Sequence, residues 1–133
     1  MAKIKLLIDT DVLIDSLKGI KEAKDLFRTK DIDLYCSILS KKELLSKSGL
    51  RESERRRIID LLSRIKVLKI DDDISKKYSF LMKKYGESSD LIVDYIIIIA
   101  ATAWSKKLPL LTRNRKHFAR IQEITLGPEY KIE

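Results

Sequence analysis

The apolar positions change period several times along the chain, and each change marks the boundary of an element. Ile4, Leu6, Leu7 and Ile8 form a run of strand length. From Val12 the spacing turns helical through Leu13, Ile14 and Leu17. It resumes at Ile20, Ala23, Leu26 and Phe27, and Gly19 between the two groups predicts a pair of short helices. Ile32, Leu34, Tyr35, Cys36 and Ile38 predict a second strand, and a helix begins at Ser40 to Leu45. Between Arg51 and Ile65 the apolar side is Ile58, Ile59, Leu61, Leu62 and Ile65, with Arg51, Arg55, Arg56, Arg57 and Arg64 left to solvent, which makes an amphipathic basic helix. Val67, Leu68 and Ile70 give a brief strand. Asp71 to Asp73 then open a helix carrying Ile74, Tyr78, Leu81, Met82 and Tyr85, which stops at Gly86. The most apolar helix runs from Leu91 to about Lys106. Leu108 to Leu111 and then Ile121, Ile124 and Leu126 supply the last strands.

Short strands alternating with helices predict an α/β fold, a parallel sheet covered on both faces. No internal repeat and no Pro/Gly/Ser-rich linker divides the 133 residues, so residues 1–133 read as one domain.

Where the apolar runs end, the chemistry begins. Asp9, Asp11 and Asp15 follow the first strand at once. A carboxylate beyond the carboxyl end of a buried parallel strand lies where open α/β sheets bind ligands, and its desolvated charge calls for a cation. Asp9 is therefore a candidate metal ligand; the competing reading has Thr10 or Asp11 cap the next helix, with Asp9 a solvated turn residue. Ser40-Lys41-Lys42-Glu43 fits a capping box, but Glu43, in the first turn of a helix after the second strand, also points toward the sheet edge that carries Asp9. Asp94 lies one turn into the most apolar helix and needs a partner or an open end. Thr112-Arg113-Asn114 follows another apolar strand.

Composition narrows the classes. Lys and Arg number 28 against 20 Asp and Glu, giving a net charge of +8, a balance suited to polyanions such as nucleic acid. One cysteine, Cys36, permits no internal disulfide, and the amino terminus lacks the pattern of a secretory signal, so a cytoplasmic protein is expected. The apolar stretch Tyr95 to Trp104 is half the length of a membrane span, which needs about 20 residues; no membrane role is expected. Single Asn, Gln, His and Cys residues beside 36% charged residues resemble compositions from hot environments. No GxGxxG or P-loop follows a strand. His117 has no nearby nucleophile and reads as a surface residue.

Taken together, LLIDTDVLID, SILSKKELL, IAATA and LPLLTRNRKHF resemble a PIN domain of the VapC toxin ribonuclease type, in order and over nearly the whole chain. The resemblance implies a flavodoxin-like three-layer α/β sandwich. It implies Mg²⁺ or Mn²⁺ held by acids at the sheet edge, RNA phosphodiesters as substrate, homodimers, and a small VapB antitoxin as partner. It places catalytic roles on Asp9, Glu43 and Asn114, with Ser37 and Ser40 at small polar positions. Arg113 and Arg115, flanking Asn114, are expected to meet RNA phosphate and not the core. The family's third acid would fall on Ile96; Asp94 stands two residues too early, about 200° away on a regular helix. We expect a widened, π-type first turn to bring Asp94 to Asp9 and Glu43 as the third metal ligand, with Asp90 in reserve and otherwise a cap. Two other readings stand beside a toxin: a catalytically weakened PIN-fold RNA-binding or scaffold protein, and a ribosomal-RNA maturation nuclease without an antitoxin.

Overall fold

The computed structural model describes residues 3–86 and 91–131. Its centre is a four-stranded parallel sheet ordered β3-β2-β1-β4, built from β1 (Ile4–Ile8), β2 (Ile32–Ser37), β3 (Lys66–Leu68) and β4 (Leu110–Leu111). Parallel registers pair Leu6 with Leu34, Cys36 with Val67, and Ile8 with Leu111. Successive side chains of β1 leave on opposite faces, so Leu7 enters one core while Leu6 and Ile8 enter the other. This explains why β1 reads as a continuous apolar run: both faces are covered.

On the face of Leu6 and Ile8 lie α1 (Thr10–Leu17), α2 (Lys21–Arg28), α3 (Ile38–Leu45) and α4 (Glu52–Leu62). On the other lie α5 (Asp72–Tyr85), α6 (Leu91–Lys106) and α7 (Arg115–Ala119). The three-layer α/β sandwich is thus as the alternation of periods predicts. Gly19, at φ 81°, ends α1 in the left-handed region that a side chain resists.

Three local expectations fail for identifiable reasons. The helix after β2 begins at Ile38 and is capped by Ser37, whose hydroxyl accepts the Leu39 N–H at 3.1 Å, so no capping box forms at Ser40. Ser40 is fully buried and faces α1 instead. The strand expected over Ile121 to Leu126 shrinks to one bridge between Leu110 and Leu126; Gly127 N–H still reaches the Leu110 carbonyl at 2.7 Å, but Pro128 has no N–H with which to continue a ladder. Third, α6 is an uninterrupted α-helix from Leu91, without the widened turn expected near Asp94.

Candidate active site

The chain leaves β1 at Ile8 and enters α1 through Asp9, whose extended backbone makes it the N-cap: Oδ1 accepts the Thr10 N–H at 2.8 Å. Capping therefore falls to Asp9 rather than to Thr10 or Asp11. Asp9 is only 2% exposed, and its N–H donates to the Leu111 carbonyl at 3.0 Å. The next residue of that strand, buried Thr112, donates its hydroxyl to Asp9 Oδ2 at 2.8 Å. In the order β3-β2-β1-β4 the chain winds outward from β1 in one direction through β2 and in the other at β4. The ends of β1 and β4 therefore flank the crevice where such sheets place ligands.

From α6 comes Tyr95, whose hydroxyl donates to Asp9 Oδ1 at 2.5 Å and lies 2.7 Å from Thr10 Oγ1. Thr10 Oγ1 is in turn 2.7 Å from Ser40 Oγ on α3. Burial, together with the Asp9 charge, drives the Tyr95 phenol far above its ordinary pKa, and the charge of Glu43 adds to this. The phenol therefore stays protonated and remains a donor.

Asp11 lies at the same edge. Its Oδ2 accepts the Arg113 N–H at 3.1 Å, while Oδ1 is buried with no hydrogen-bond partner. Burial first, then repulsion from Asp9, pushes its pKa up to about 6, and the Arg113 N–H and charge hold it back only partly. An orphaned carboxylate oxygen next to a second carboxylate is costly and uncommon.

A further acid, Asp15, is 1% exposed. Arg113 Nε stands 3.1 Å from its Oδ2, which also accepts the Tyr130 hydroxyl at 3.1 Å. The expectation that Arg113 avoids the core is thus corrected: its guanidinium neutralises a buried acid, although the side chain is 44% exposed. Arg115 is corrected likewise, since its Nη1 donates to the Gly127 carbonyl at 2.9 Å and tethers the carboxyl-terminal segment.

The other predicted residues divide. Glu43 is exposed on α3, on the Tyr95 side of the site. Asn114 is exposed at the mouth, with its N–H on Thr112 Oγ1 at 2.9 Å. Asp94 does not reach Asp9: its Oδ1 accepts the Tyr78 hydroxyl of α5. On a regular helix neighbours differ by about 100°, so α6 can aim Tyr95 or Asp94 at the sheet edge, and it aims Tyr95. Asp90 lies outside the described residues. Among the described residues no three Asp, Glu, His or Cys side chains stand together as a metal-holding group, so the trio of Asp9, Glu43 and Asp94 is not assembled. Sequence reasoning passed over Asp11, Thr112 and Tyr95. Asp11 and Thr112 carried a signal, each being a polar residue within a few positions of the end of a buried strand; Tyr95 looked like core.

The PIN domain family matches residues 6–124. The chain belongs to the PIN domain family. This PIN domain is 34% identical over 121 residues to Ribonuclease VapC10 of Mycobacterium tuberculosis, covering 90% of each chain. It is 31% identical over 123 residues to Ribonuclease VapC1 of Methanocaldococcus jannaschii, covering 92% of this chain and 85% of that one. Among solved structures it is similar to a toxin-antitoxin complex from Klebsiella pneumoniae, with a TM-score of 0.73 and 29% identity over 93% of this chain and 98% of that chain. VapBC2 from Rickettsia felis, bound to a promoter DNA fragment, shares the PIN fold at a TM-score of 0.79 and 20% identity, with the same coverage.

Proposed function

We propose that this PIN domain is a VapC-type endoribonuclease, the toxin of a toxin-antitoxin pair, which cleaves RNA with the help of Mg²⁺ or Mn²⁺. The observation that carries the reading is Asp9: a buried carboxylate at the sheet's switch point, in a chain whose relatives are named as VapC ribonucleases.

The donor set fits a hard divalent ion. Asp9 and Asp11 offer oxygen only, Asp11 Oδ1 lacks a partner, and Mg²⁺ is commonly held by one or two carboxylates with water completing the shell. Asp9 and Asp11 would hold it, with Glu43 contributing charge from α3. When bound, the ion supplies positive charge for a phosphodiester's non-bridging oxygens and lowers the pKa of bound water. The rest falls to the chain itself. Thr112 and the Thr10 N–H fix both oxygens of Asp9. Arg113 presents a half-exposed guanidinium beside the acids, where a phosphate would otherwise meet only negative charge. Asn114, exposed at the mouth, can donate and accept hydrogen bonds with the substrate.

The solved neighbour from Klebsiella pneumoniae is a toxin-antitoxin complex, and an apolar groove of about 660 Å³ opens next to Glu43, between Ile14, Leu17, Leu44, Leu50 and Ile58. A short amphipathic antitoxin segment fits that groove, and seated there it would cover the approach to Glu43. No helix among the described residues is long and apolar enough to cross a membrane.

The test is cleavage of a defined RNA with Mg²⁺, with Mn²⁺ and with EDTA, by wild type and by Asp9→Asn. Cleavage that needs metal and is lost in a folded Asp9→Asn variant supports the reading. Metal-independent cleavage overturns the metal-dependent mechanism, whereas no cleavage by the purified wild type freed of any partner overturns the nuclease reading and favours the scaffold reading.

A further inference from the structure

Four hydroxyl and carboxyl groups, from α1 and its N-cap, α3 and α6, lie in one line. Ser40 Oγ is 2.7 Å from Thr10 Oγ1, Thr10 Oγ1 is 2.7 Å from the Tyr95 hydroxyl, and that hydroxyl donates to Asp9 Oδ1 at 2.5 Å. Proton counting fixes the direction of the whole line. A carboxylate only accepts, and Tyr95 spends its single proton on Asp9 Oδ1. Thr10 must then donate to the Tyr95 oxygen, which leaves Ser40 to donate to Thr10. Each donor polarises the next, and such a line is stiffer than its separate bonds. The line is also enclosed, with Ser40, Thr10 and Asp9 all buried.

Nothing in the packing of α6 alone requires this contact. The helix fills its core with Ile96, Ile97, Ile99 and Ala100, and a phenylalanine at 95 would occupy the same ring volume. The hydroxyl is what touches Asp9. It touches Oδ1, while Thr112 holds Oδ2, so the carboxylate plane is set by donors on both sides.

We propose that Tyr95 is a positioning residue of the active site: its hydroxyl, oriented through Thr10 by Ser40, fixes the Asp9 carboxylate for cation binding from the α6 position next to Asp94. This rests on the proposed metal-dependent reading. Groups that hydrogen-bond a ligating carboxylate orient it, and their loss commonly lowers metal affinity by about 10- to 100-fold.

The experiment measures Mn²⁺ affinity by titration calorimetry, with melting temperature in EDTA as the control for folding. The variants are Tyr95→Phe, Thr10→Val and Thr10→Ser, alongside wild type. Tyr95→Phe should keep its fold in EDTA yet bind Mn²⁺ about tenfold more weakly or worse. Thr10→Val, which breaks the line one bond further out, should weaken binding in the same direction, and Thr10→Ser, which keeps the hydroxyl, should recover it. Unchanged or tighter Mn²⁺ binding by a folded Tyr95→Phe overturns the proposal, tighter binding because the hydroxyl would then compete with the ion. If Tyr95→Phe does not fold, the Thr10 pair decides by the same criterion. A wild type that binds no Mn²⁺ and cleaves no RNA overturns the metal-dependent reading itself, a different result from a wild type that binds and a Tyr95→Phe that binds equally well.

Discussion

Thr112 Oγ1 donates to Asp9 Oδ2 across 2.8 Å, which joins the end of β4 to the end of β1 through a buried, charge-assisted bond. The same oxygen accepts the Asn114 N–H at 2.9 Å. Thr112→Val keeps the shape and removes both bonds, leaving an N–H and a carboxylate oxygen short of a partner. The cost should be about 1–3 kcal/mol of stability, read from chemical denaturation. Thr112→Ser, which keeps the hydroxyl, should recover most of it. A Thr112→Val variant as stable as wild type would mean that Asp9 does not depend on this donor.

Asp11 makes metal-free stability depend on pH. Its folded pKa, about 6, lies above the ordinary value of 3.8. The folded state therefore holds more protons than the unfolded state between these values, and stability falls as pH rises through that window. In EDTA, Asp11→Asn should raise the melting temperature more at pH 7.5 than at pH 4, roughly the two sides of the window. Equal effects at both would place the Asp11 titration outside it.

How much of this could be read without coordinates depends on whether a residue's role follows from its own neighbourhood in the chain. Asp9 was legible because an apolar run ends on it, and Gly19 because helical spacing breaks around it. Glu43 was legible only as a residue of the helix after the second strand, and Ser40 reads in sequence as half of a capping box that does not form. A capping box is a local pattern, whereas the bond from Ser40 to Thr10 spans 30 positions. Asp94 and Tyr95 show the same limit more sharply. They are adjacent, both polar at their tips and both embedded in aliphatic sequence, and only the way α6 rests on α5 and on the sheet decides which one turns toward Asp9. Hydrophobic periodicity gives the buried side of a helix to within about one position, and about 100° separates the two.

Arg113 has two roles that can be separated. Arg113→Ala leaves Asp15 buried with the Tyr130 hydroxyl as its remaining side-chain partner among the described residues, and unpairing a buried charge commonly costs about 3–5 kcal/mol. Because the guanidinium is half-exposed and solvent already screens it, we expect about 2 kcal/mol. Combining Arg113→Ala with Asp15→Asn should restore most of that stability by removing the stranded charge. RNA binding should not return with it. If Arg113 meets phosphate, the double variant keeps a flatter dependence of affinity on salt; a wild-type slope would place Arg113 outside the RNA footprint and leave it a purely structural cation.

Asp94 provides the clearest test of the site's composition. The sequence pattern makes it the third metal ligand, through an irregular turn that is absent from the described helix Leu91–Lys106. Its Oδ1 accepts the Tyr78 hydroxyl instead, a bond that ties α6 to α5 and raises the Tyr78 pKa. Asp94→Asn keeps an oxygen that can accept from Tyr78, so it should leave both fold and RNA cleavage within about twofold of wild type, since a lost partial charge on a half-exposed pair is worth about 0.5 kcal/mol. Tyr78→Phe removes the hydrogen bond itself and should also leave cleavage within about twofold of wild type, because the Tyr78–Asp94 contact does not reach Asp9. Asp11→Asn, by contrast, should lower metal-dependent cleavage about tenfold or more. Cleavage and Mn²⁺ titration on the three variants in parallel decide the matter. Loss of both in Asp94→Asn, with Tyr78→Phe and Asp11→Asn unaffected, would mean that α6 rotates or unwinds when the cation binds, and that the third acid reaches the site only in the loaded enzyme.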